Sequence, residues 1–225
     1  VDPGRRSEAR RTLEIGESAF VVGSFQKDGV GWEDGFEPKL VKGPDVLVAA
    51  LESVFARAPE LVVMLTGPAR GYVCRELERL GIPFRHLLAR SRGELARAYH
   101  ALDVYVVPSR QEGGPKGALE AMATGNAVVC TPQAHEGIRA TPGKELVIAE
   151  GTDDFSAATI DLLLDPAKAG RLGMAARQCV EREYSWEDNL RLLDRILPVR
   201  SAAAWPTDPV LGLGRGAGAP GVRSA

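Results

Sequence analysis

The chain has 225 residues, 44% of them hydrophobic and 26% charged, with a formal net charge of −2. This is the composition of one ordinary globular domain with a core, and its slightly negative charge gives no basic field that would attract nucleic acid. No apolar run approaches the length of a bilayer span, and the first residues do not resemble a signal peptide. We therefore expect no nucleic-acid partner, and the sequence does not indicate membrane contact.

Three cysteines, Cys74, Cys130 and Cys179, lie far apart in the sequence and lack the spacing of metal ligands. Such residues are most often buried thiols of a protein in a reducing compartment. We expect no metal site and a cytoplasmic location.

Apolar runs and turn signals predict alternating strands and helices. A short charged helix is expected at residues 5–14, and a polar, glycine-rich stretch at 26–43 is too broken for a regular element. The predicted strands are residues 19–24, 61–65, 84–88, 103–107, 127–131 and 146–149. One predicted helix begins at residue 44, and another follows the glycine loop and ends near residue 125. The other predicted helices cover residues 69–80, 92–101, 154–164, 166–183 and 186–197.

This alternation predicts an α/β fold, a Rossmann-like, doubly wound parallel sheet with helices on both faces. Sheets of this kind bind ligands at the carboxyl ends of their strands. The glycine-bearing loops at Gly23, Gly67 and Gly113 follow strands directly. We expect these three loops to face one crevice.

The chain divides by composition into three segments. Residues 1–18 are predicted to be a linker or short helix, and residues 19–197 the Rossmann-like domain. Residues 198–225 are rich in Pro, Gly and Ala with little apolar pattern, and a disordered tail is expected there.

The most informative segment is residues 109–122, a glycine-bracketed loop that opens a helix behind a buried strand. The first N–H groups of a helix lack internal partners and form its positive end, so such a loop suits a phosphate. A carboxylate beside the phosphate can bind a sugar diol, and Glu112 and Glu120 are placed for this. The spacing also fits a solvated loop acid at Glu112 and a surface pair between Glu120 and Lys116. The spacing alone leaves both interpretations open, and a nucleotide-sugar site is the more specific of the two.

The stretch from residue 103 to 131 resembles the signature of the retaining, group 1 glycosyltransferases of the GT-B fold, glycosyltransferase family four. The similarity extends over residues 19–197, and the chain resembles the second, donor-binding half of that fold. The matching residues are Pro108-Ser109, Glu112, Glu120-Ala121-Met122-Ala123, Gly125, Val128-Val129, Lys42-Gly43-Pro44-Asp45 and Tyr184-Ser185-Trp186-Glu187.

The resemblance implies a role for each matching residue. Glu120 would bind the ribose hydroxyls of the donor nucleotide, and Glu112 would contact the donor sugar. Lys42 would neutralise the diphosphate as it leaves, which is electrostatic stabilisation that requires neither metal nor cofactor. Backbone amides would hold the sugar and diphosphate around Gly113, Gly114, Lys116 and Gly117.

The sequence also departs from the family pattern. The family usually has an arginine after the glycine that ends the first strand; here Gly23 lacks it, and Lys27 is the expected substitute. Pro115-Lys116 replaces the commoner Gly-Leu, which removes one amide and adds a cation. Glu136 lies where the family contacts the donor sugar. The long loop between Lys27 and Lys42 is expected either to fold over the donor or to be mobile.

These features predict a hexosyltransferase-like donor domain that binds a nucleoside-diphosphate sugar. The opening residues resemble the linker after a first domain, so the acceptor-binding N-terminal domain or subunit is expected to be absent from this chain, which would be inactive alone. The alternative is a non-catalytic nucleotide-sugar-binding subunit or sensor. A glycosidase with two acidic residues would not need a phosphate cradle, and a dinucleotide oxidoreductase would need a Gly-x-Gly-x-x-Gly motif that opens the first helix.

Overall fold

The computed structural model describes residues 2–187 and 189–191. The chain divides into two units, residues 1–185 and 186–225, and the fold below is that of the first unit. The disordered tail predicted at 198–225 lies outside the described residues, as does most of the helix predicted at 186–197.

Six parallel strands form one sheet in the order β3-β2-β1-β4-β5-β6. Their bounds are Phe20–Ser24 (β1), Leu61–Thr66 (β2), Phe84–Leu87 (β3), Val104–Val107 (β4), Ala127–Cys130 (β5) and Val147–Ile148 (β6). The central strand β1 pairs with β2 through Val22 and Val63, and with β4 through Val22 and Val104. The inner strands are apolar because both faces are covered. The predicted α/β doubly wound sheet is confirmed.

Within residues 2–185, eight α-helices surround the sheet. Their bounds are Pro3–Thr12 (α1), Pro44–Arg57 (α2), Gly71–Leu80 (α3), Arg92–His100 (α4), Lys116–Ala123 (α5), Pro132–His135 (α6), Gly151–Leu164 (α7) and Pro166–Glu183 (α8). One apolar cluster packs α2, α3 and α7 on one face, and a second packs α1, α4, α5 and α8 on the other. Among the described helices, none has both the length and the apolar character needed to cross a bilayer.

The N-terminal helix α1 is fastened to the amino end of the sheet. The buried Arg10 guanidinium donates hydrogen bonds to the carbonyls of Ala101, Glu17 and Ala19, at 3.1, 2.8 and 3.0 Å. It also pairs with the Asp103 carboxylate at 2.8 Å. A buried charge is stable only when its donors are satisfied in this way. The segment predicted as a linker or short helix, residues 1–18, therefore contains a helix that packs as part of the same unit as the sheet.

The order of strands reverses between β1 and β4. From β1 the chain moves outward to β2 and β3, and from β4 it moves the other way to β5 and β6. The loops that follow β1 and β4 therefore separate and leave a crevice above the strand ends, where open α/β sheets bind ligands. Several of the predicted site residues lie in these two loops.

Candidate functional site

A cavity of about 280 Å³ opens above the carboxyl ends of β1 and β4. Its walls come from the loop after β1, the residues before α2, the loop after β4 and the first turn of α5. The charged residues that line it are four lysines and one glutamate, namely Lys27, Lys39, Lys42, Lys116 and Glu112. The cavity is therefore locally positive in a chain whose net charge is −2. Its chemistry suits an anionic ligand.

Lys42 and Glu112 form the central ion pair of the cavity. Lys42 ends a short 3₁₀ turn, Leu40–Lys42, and its Nζ lies 2.6 Å from Glu112 Oε1. The Ser109 hydroxyl lies 2.9 Å from the same carboxylate oxygen and 2.9 Å from Gln26 Oε1. Gln26 in turn donates to the Lys42 carbonyl at 2.7 Å. These four residues, from the β1–α2 and β4–α5 connections, form one polar network.

The loops that carry Lys42 and Glu112 are clamped to each other. Arg110 donates to both carboxylate oxygens of Asp45, at 2.7 and 2.6 Å, and its backbone N–H donates to the Val41 carbonyl. The Arg110 hydrogen bonds lower the pKa of Asp45. Gly43 has φ +65° and approaches Pro108 so closely that a Cβ would overlap its carbonyl oxygen. Glycine is required there by conformation and by space.

The start of α5 faces the cavity with its backbone. Pro115 precedes the helix, and no described side chain caps it, so its first N–H groups are available to a ligand. Gly117 lines the cavity, and a Cβ there would overlap the Tyr105 hydroxyl oxygen. The Lys116 side chain is 88% exposed. The exposed Lys116 ammonium therefore adds positive charge to a site that already contains the positive end of a helix.

The glycine loop before α5 packs against the segment that follows α6. Gly114 has φ +132° and lines the cavity, and Gly113 precedes it in an exposed position. A Cβ on Gly137 would lie 2.6 Å from the Gly114 Cα, so these two backbones touch. Glu136 is exposed beside this contact and does not line the cavity.

Glu120 lies on α5, one turn beyond the lining residue Gly117. Its side chain is 34% exposed, and its Oε2 accepts a hydrogen bond from the Tyr99 hydroxyl at 2.9 Å. Its Oε1 lies 3.7 Å from Lys116 Nζ. This is the surface ion pair that the sequence spacing gave as the alternative interpretation. An ion pair with so exposed a lysine contributes little. The hydrogen bond to Tyr99 is therefore the better-defined of the two contacts.

The long loop after β1 is an ordered hairpin, residues 28–39. Gly29 pairs with Pro38, and the Lys39 N–H donates to the Asp28 carbonyl at 2.7 Å. At its base the Asp28 carboxylate lies 3.0 Å from the Arg70 guanidinium, and both side chains are fully buried. Burial raises the pKa of Asp28. The hairpin is thus held by an ion pair of the kind that is costly to break.

Lys27, the predicted substitute for the family arginine, lines the cavity, and its Nζ lies 3.6 Å above the centre of the Trp32 ring. This is a cation–π contact. Lys39 lines the same cavity from the end of the hairpin and is exposed. Within residues 2–187 and 189–191, the Lys39 ammonium forms no ion pair. Lys39 is therefore available to an anionic ligand in addition to the lysines that were predicted from the sequence.

Two expectations about the glycines need correction. Gly23 lies within β1 and does not line the cavity; a Cβ there would overlap the Leu102 side chain, so packing explains this glycine. The loop after Gly67 does not share the crevice of the other two loops. It lines a second cavity of about 610 Å³ with Trp32 and Phe36 of the hairpin. Different residues of the long loop after β1 therefore line the two cavities, which the sequence could not show.

The three cysteines are free thiols. Burial raises the pKa of Cys130 to about 12, so this thiol is unreactive at neutral pH. Among the described residues, no group of three or more His, Cys, Asp or Glu side chains is arranged to hold a metal ion.

Sequence reasoning missed three polar residues of the site, Gln26, Lys39 and Tyr99. Gln26 and Tyr99 act on partners 83 and 21 residues away, Ser109 and Glu120 respectively, and no local spacing signals such contacts. Lys39 carried a usable signal, because it stands three residues before Lys42 in the same loop.

Known proteins similar in sequence to this chain are glycosyltransferases. A family model described as "Glycosyl transferases group 1" matches residues 35–165. The chain is 30% identical to a D-inositol 3-phosphate glycosyltransferase of Rhodococcus erythropolis over 198 residues, which cover 82% of this chain and 42% of that protein. The chain spans less than half the length of the curated relatives it matches.

Two solved structures have the same fold. HepE of Anabaena, crystallised with UDP and glucose, aligns with a TM-score of 0.69 and 19% identity over 87% of this chain and 52% of its own. The C-terminal domain of LpcC, a glycosyl transferase group 1 family protein of Francisella tularensis, aligns with a TM-score of 0.64 and 17% identity. That alignment covers 80% of this chain and 93% of the LpcC domain.

Proposed function

The chain belongs to the group 1 glycosyltransferases of the GT-B fold, and from this premise we propose that it is the C-terminal, donor-binding domain of a retaining enzyme of glycosyltransferase family four. In this proposal residues 19–197 bind a nucleoside-diphosphate sugar. Its hexose passes to an acceptor held by an N-terminal domain or subunit outside these 225 residues. The match to 93% of a solved C-terminal domain supports this assignment, as does the span of less than half of the relatives.

The observation that carries the proposal is the positive cavity at the start of α5. A diphosphate needs cations and oriented N–H groups, and the cavity offers four lysines and an uncapped helix start. It also lies where the strand order reverses, the usual ligand position in such sheets. A neutral glycan would have no use for this arrangement.

Lys42 and Glu112 are the proposed catalytic pair. In the structure they neutralise each other at 2.6 Å. A bound diphosphate gives the Lys42 ammonium a second anionic partner, where it stabilises the charge that develops on the leaving group. The Glu112 carboxylate keeps its hydrogen bond to Ser109, and because Lys42 now also binds the diphosphate, the carboxylate can contact the donor sugar. No step in this scheme requires a metal ion.

The remaining residues form the proposed donor-binding set. Glu120 binds the ribose hydroxyls, and Lys27 and Lys39 flank the diphosphate. Backbone amides of Gly113, Gly114, Lys116 and Gly117 hold the phosphate and sugar oxygens, while Gly23 supports the site through packing and Glu136 contacts the sugar from the neighbouring loop. The unpaired cysteines favour a reducing compartment, and we propose the cytoplasm.

Calorimetric titration of the full chain with UDP, GDP and ADP tests donor binding. We expect at least one nucleotide to bind, with an affinity unchanged by EDTA. Lys42→Ala and Glu120→Ala should each weaken binding by about tenfold or more, since each removes a charge-assisted hydrogen bond. Lys168→Ala is the matched control, because it removes the same charge from the exposed face of α8, where Lys168 pairs with Asp161. If none of the three nucleotides binds at millimolar concentration, the proposal is wrong.

The acceptor half and the stereochemistry need a second experiment. The chain alone should not turn over a nucleotide sugar, whereas addition of the missing acceptor-binding half should restore transfer. Nuclear magnetic resonance of the product should then show the anomeric configuration of the donor. A product with the opposite configuration would contradict the assignment to the retaining enzymes.

A further inference from the structure

We propose that Tyr99 is the positioning residue of the nucleotide site: its hydroxyl holds the Glu120 carboxylate in the one orientation that binds the ribose diol. This inference rests on the proposed function, and it adds a residue from α4, an element to which neither the sequence motif nor the cavity assigns a role. Tyr99 does not contact the ligand in this proposal. It acts through Glu120.

The hydrogen bond itself is well placed. Tyr99 Oη lies 2.9 Å from Glu120 Oε2 and 3.2 Å from the Gly117 carbonyl oxygen. A phenol has one hydrogen to donate, and the charged and nearer acceptor is the carboxylate. The same hydroxyl therefore contacts the first turn of α5 and the glutamate one turn later. It fixes the side chain relative to the helix start that faces the cavity.

Tyr99 suits this task because its ring is buried and closely packed. It is only 2% exposed, and its ring packs against Phe25 and Tyr105 with centroid distances of 4.6 and 5.6 Å. The backbone of the same residue is held by Asn126, whose amide donates to the Tyr99 carbonyl at 3.0 Å. Phe25 follows β1 and Tyr105 lies in β4. The ring cluster therefore connects Glu120 to the two strands that form the floor of the cavity.

The charge environment keeps the phenol a donor. Burial is the main cause of the raised pKa of Tyr99, and the nearby Tyr105 and Glu120 add to it. The hydroxyl therefore keeps its proton at neutral pH. Glu120 is left with Oε1 and the remaining lone pair of Oε2 for a ligand. A flexible glutamate would lose rotamer freedom on binding, and this arrangement removes that cost in advance.

The test compares a ribonucleotide with its 2′,3′-dideoxy analogue, using whichever of UDP, GDP or ADP the wild-type chain binds most tightly. The wild type should prefer the ribonucleotide by about tenfold, the equivalent of one charge-assisted hydrogen bond. In Tyr99→Phe this preference should fall to about twofold or less, while the dideoxy nucleotide binds as in the wild type. Tyr184→Phe is the matched control. It removes a hydroxyl that accepts a hydrogen bond from the Arg139 N–H, away from the cavity, and it should keep the full preference.

The outcomes separate the hypotheses. Equal weakening of both nucleotides in Tyr99→Phe would show a general structural effect and overturn the positioning role. Failure of the wild type to bind any of the nucleotides would instead count against the proposed function itself. If Tyr99→Phe does not fold, 4-aminophenylalanine at position 99 keeps a hydrogen-bond donor on the same ring. That variant should retain the ribose preference within about threefold, and complete loss of the preference with a folded protein would refute the inference.

Discussion

The close approach of Gly117 to Tyr105 allows a sharp test of how α5 is seated. A Cβ on Gly117 would overlap the Tyr105 hydroxyl oxygen, whereas the next ring atom, Cζ, would lie 3.4 Å away, in ordinary contact. Gly117→Ala should therefore be destabilising through a single oxygen atom. If so, Tyr105→Phe should remove the conflict.

The magnitudes follow from the contacts involved. Overpacking costs about 1–3 kcal/mol, and alanine in place of glycine in a helix returns about 0.5–1 kcal/mol, so Gly117→Ala should lose about 1–2 kcal/mol. Tyr105→Phe removes the acceptor of the Phe25 N–H, a bond of 3.2 Å, and should lose about 1–2 kcal/mol. The double variant should be no less stable than Tyr105→Phe alone. The expected coupling is therefore about 1–2 kcal/mol in favour of the double variant.

Urea unfolding of the four proteins, followed by circular dichroism, measures this coupling. Additive losses within about 0.5 kcal/mol would refute the argument, because they would show that the Tyr105 oxygen is not what excludes a side chain at position 117.

Three further predictions concern the walls of the cavity. Lys39→Ala should weaken nucleoside-diphosphate binding by about tenfold and Lys27→Ala by less than about threefold, because the Lys27 ammonium already lies on the Trp32 ring; calorimetry that ranks them in the opposite order would contradict this. Asp45→Asn should lose about 0.5–1 kcal/mol of stability at pH 7. In urea titrations this deficit should begin to shrink as the pH falls below about 3.9 and should vanish only below the folded-state pKa of Asp45, which Arg110 lowers. Asp28→Asn should lose about 3–5 kcal/mol because it leaves a buried guanidinium unpaired, and a change in melting temperature of less than about 2 °C would contradict this.

Local patterns in the sequence were sufficient to predict the sheet. The apolar runs at Leu61–Thr66, Val104–Val107 and Ala127–Cys130 appear as buried strands within one residue of their predicted ends. The start of α4 also follows a local signal, since Ser91 stands three residues before Glu94 and accepts a hydrogen bond from the Glu94 N–H. Helix α6 was missed because four residues are too few to show a helical period.

The candidate site was only partly predictable, because half of its geometry comes from long-range contacts. The pairing of Lys42 with Glu112 joins residues 70 positions apart, and the two could be expected at one crevice only through the family resemblance. The hairpin was expected to be either a cover or a mobile loop, since nothing local marks Asp28 as the buried partner of Arg70. Charged residues are usually solvated, and a sequence pattern does not reveal the exceptions.

The same hairpin has a consequence for engineering. Its two ends are fixed by the bond between the Lys39 N–H and the Asp28 carbonyl and by the buried carboxylate–guanidinium pair beneath them. Between these ends, the Asp34 and Gly35 carbonyls accept hydrogen bonds from the Gly71 and Tyr72 N–H groups at 2.6 and 3.0 Å, so residues 34–35 also hold the start of α3. Residues 31–33 are exposed, and Trp32 is 81% exposed. Engineered replacements confined to residues 31–33 would therefore vary the rim of the second cavity while the strands, the start of α3 and the first cavity keep their contacts.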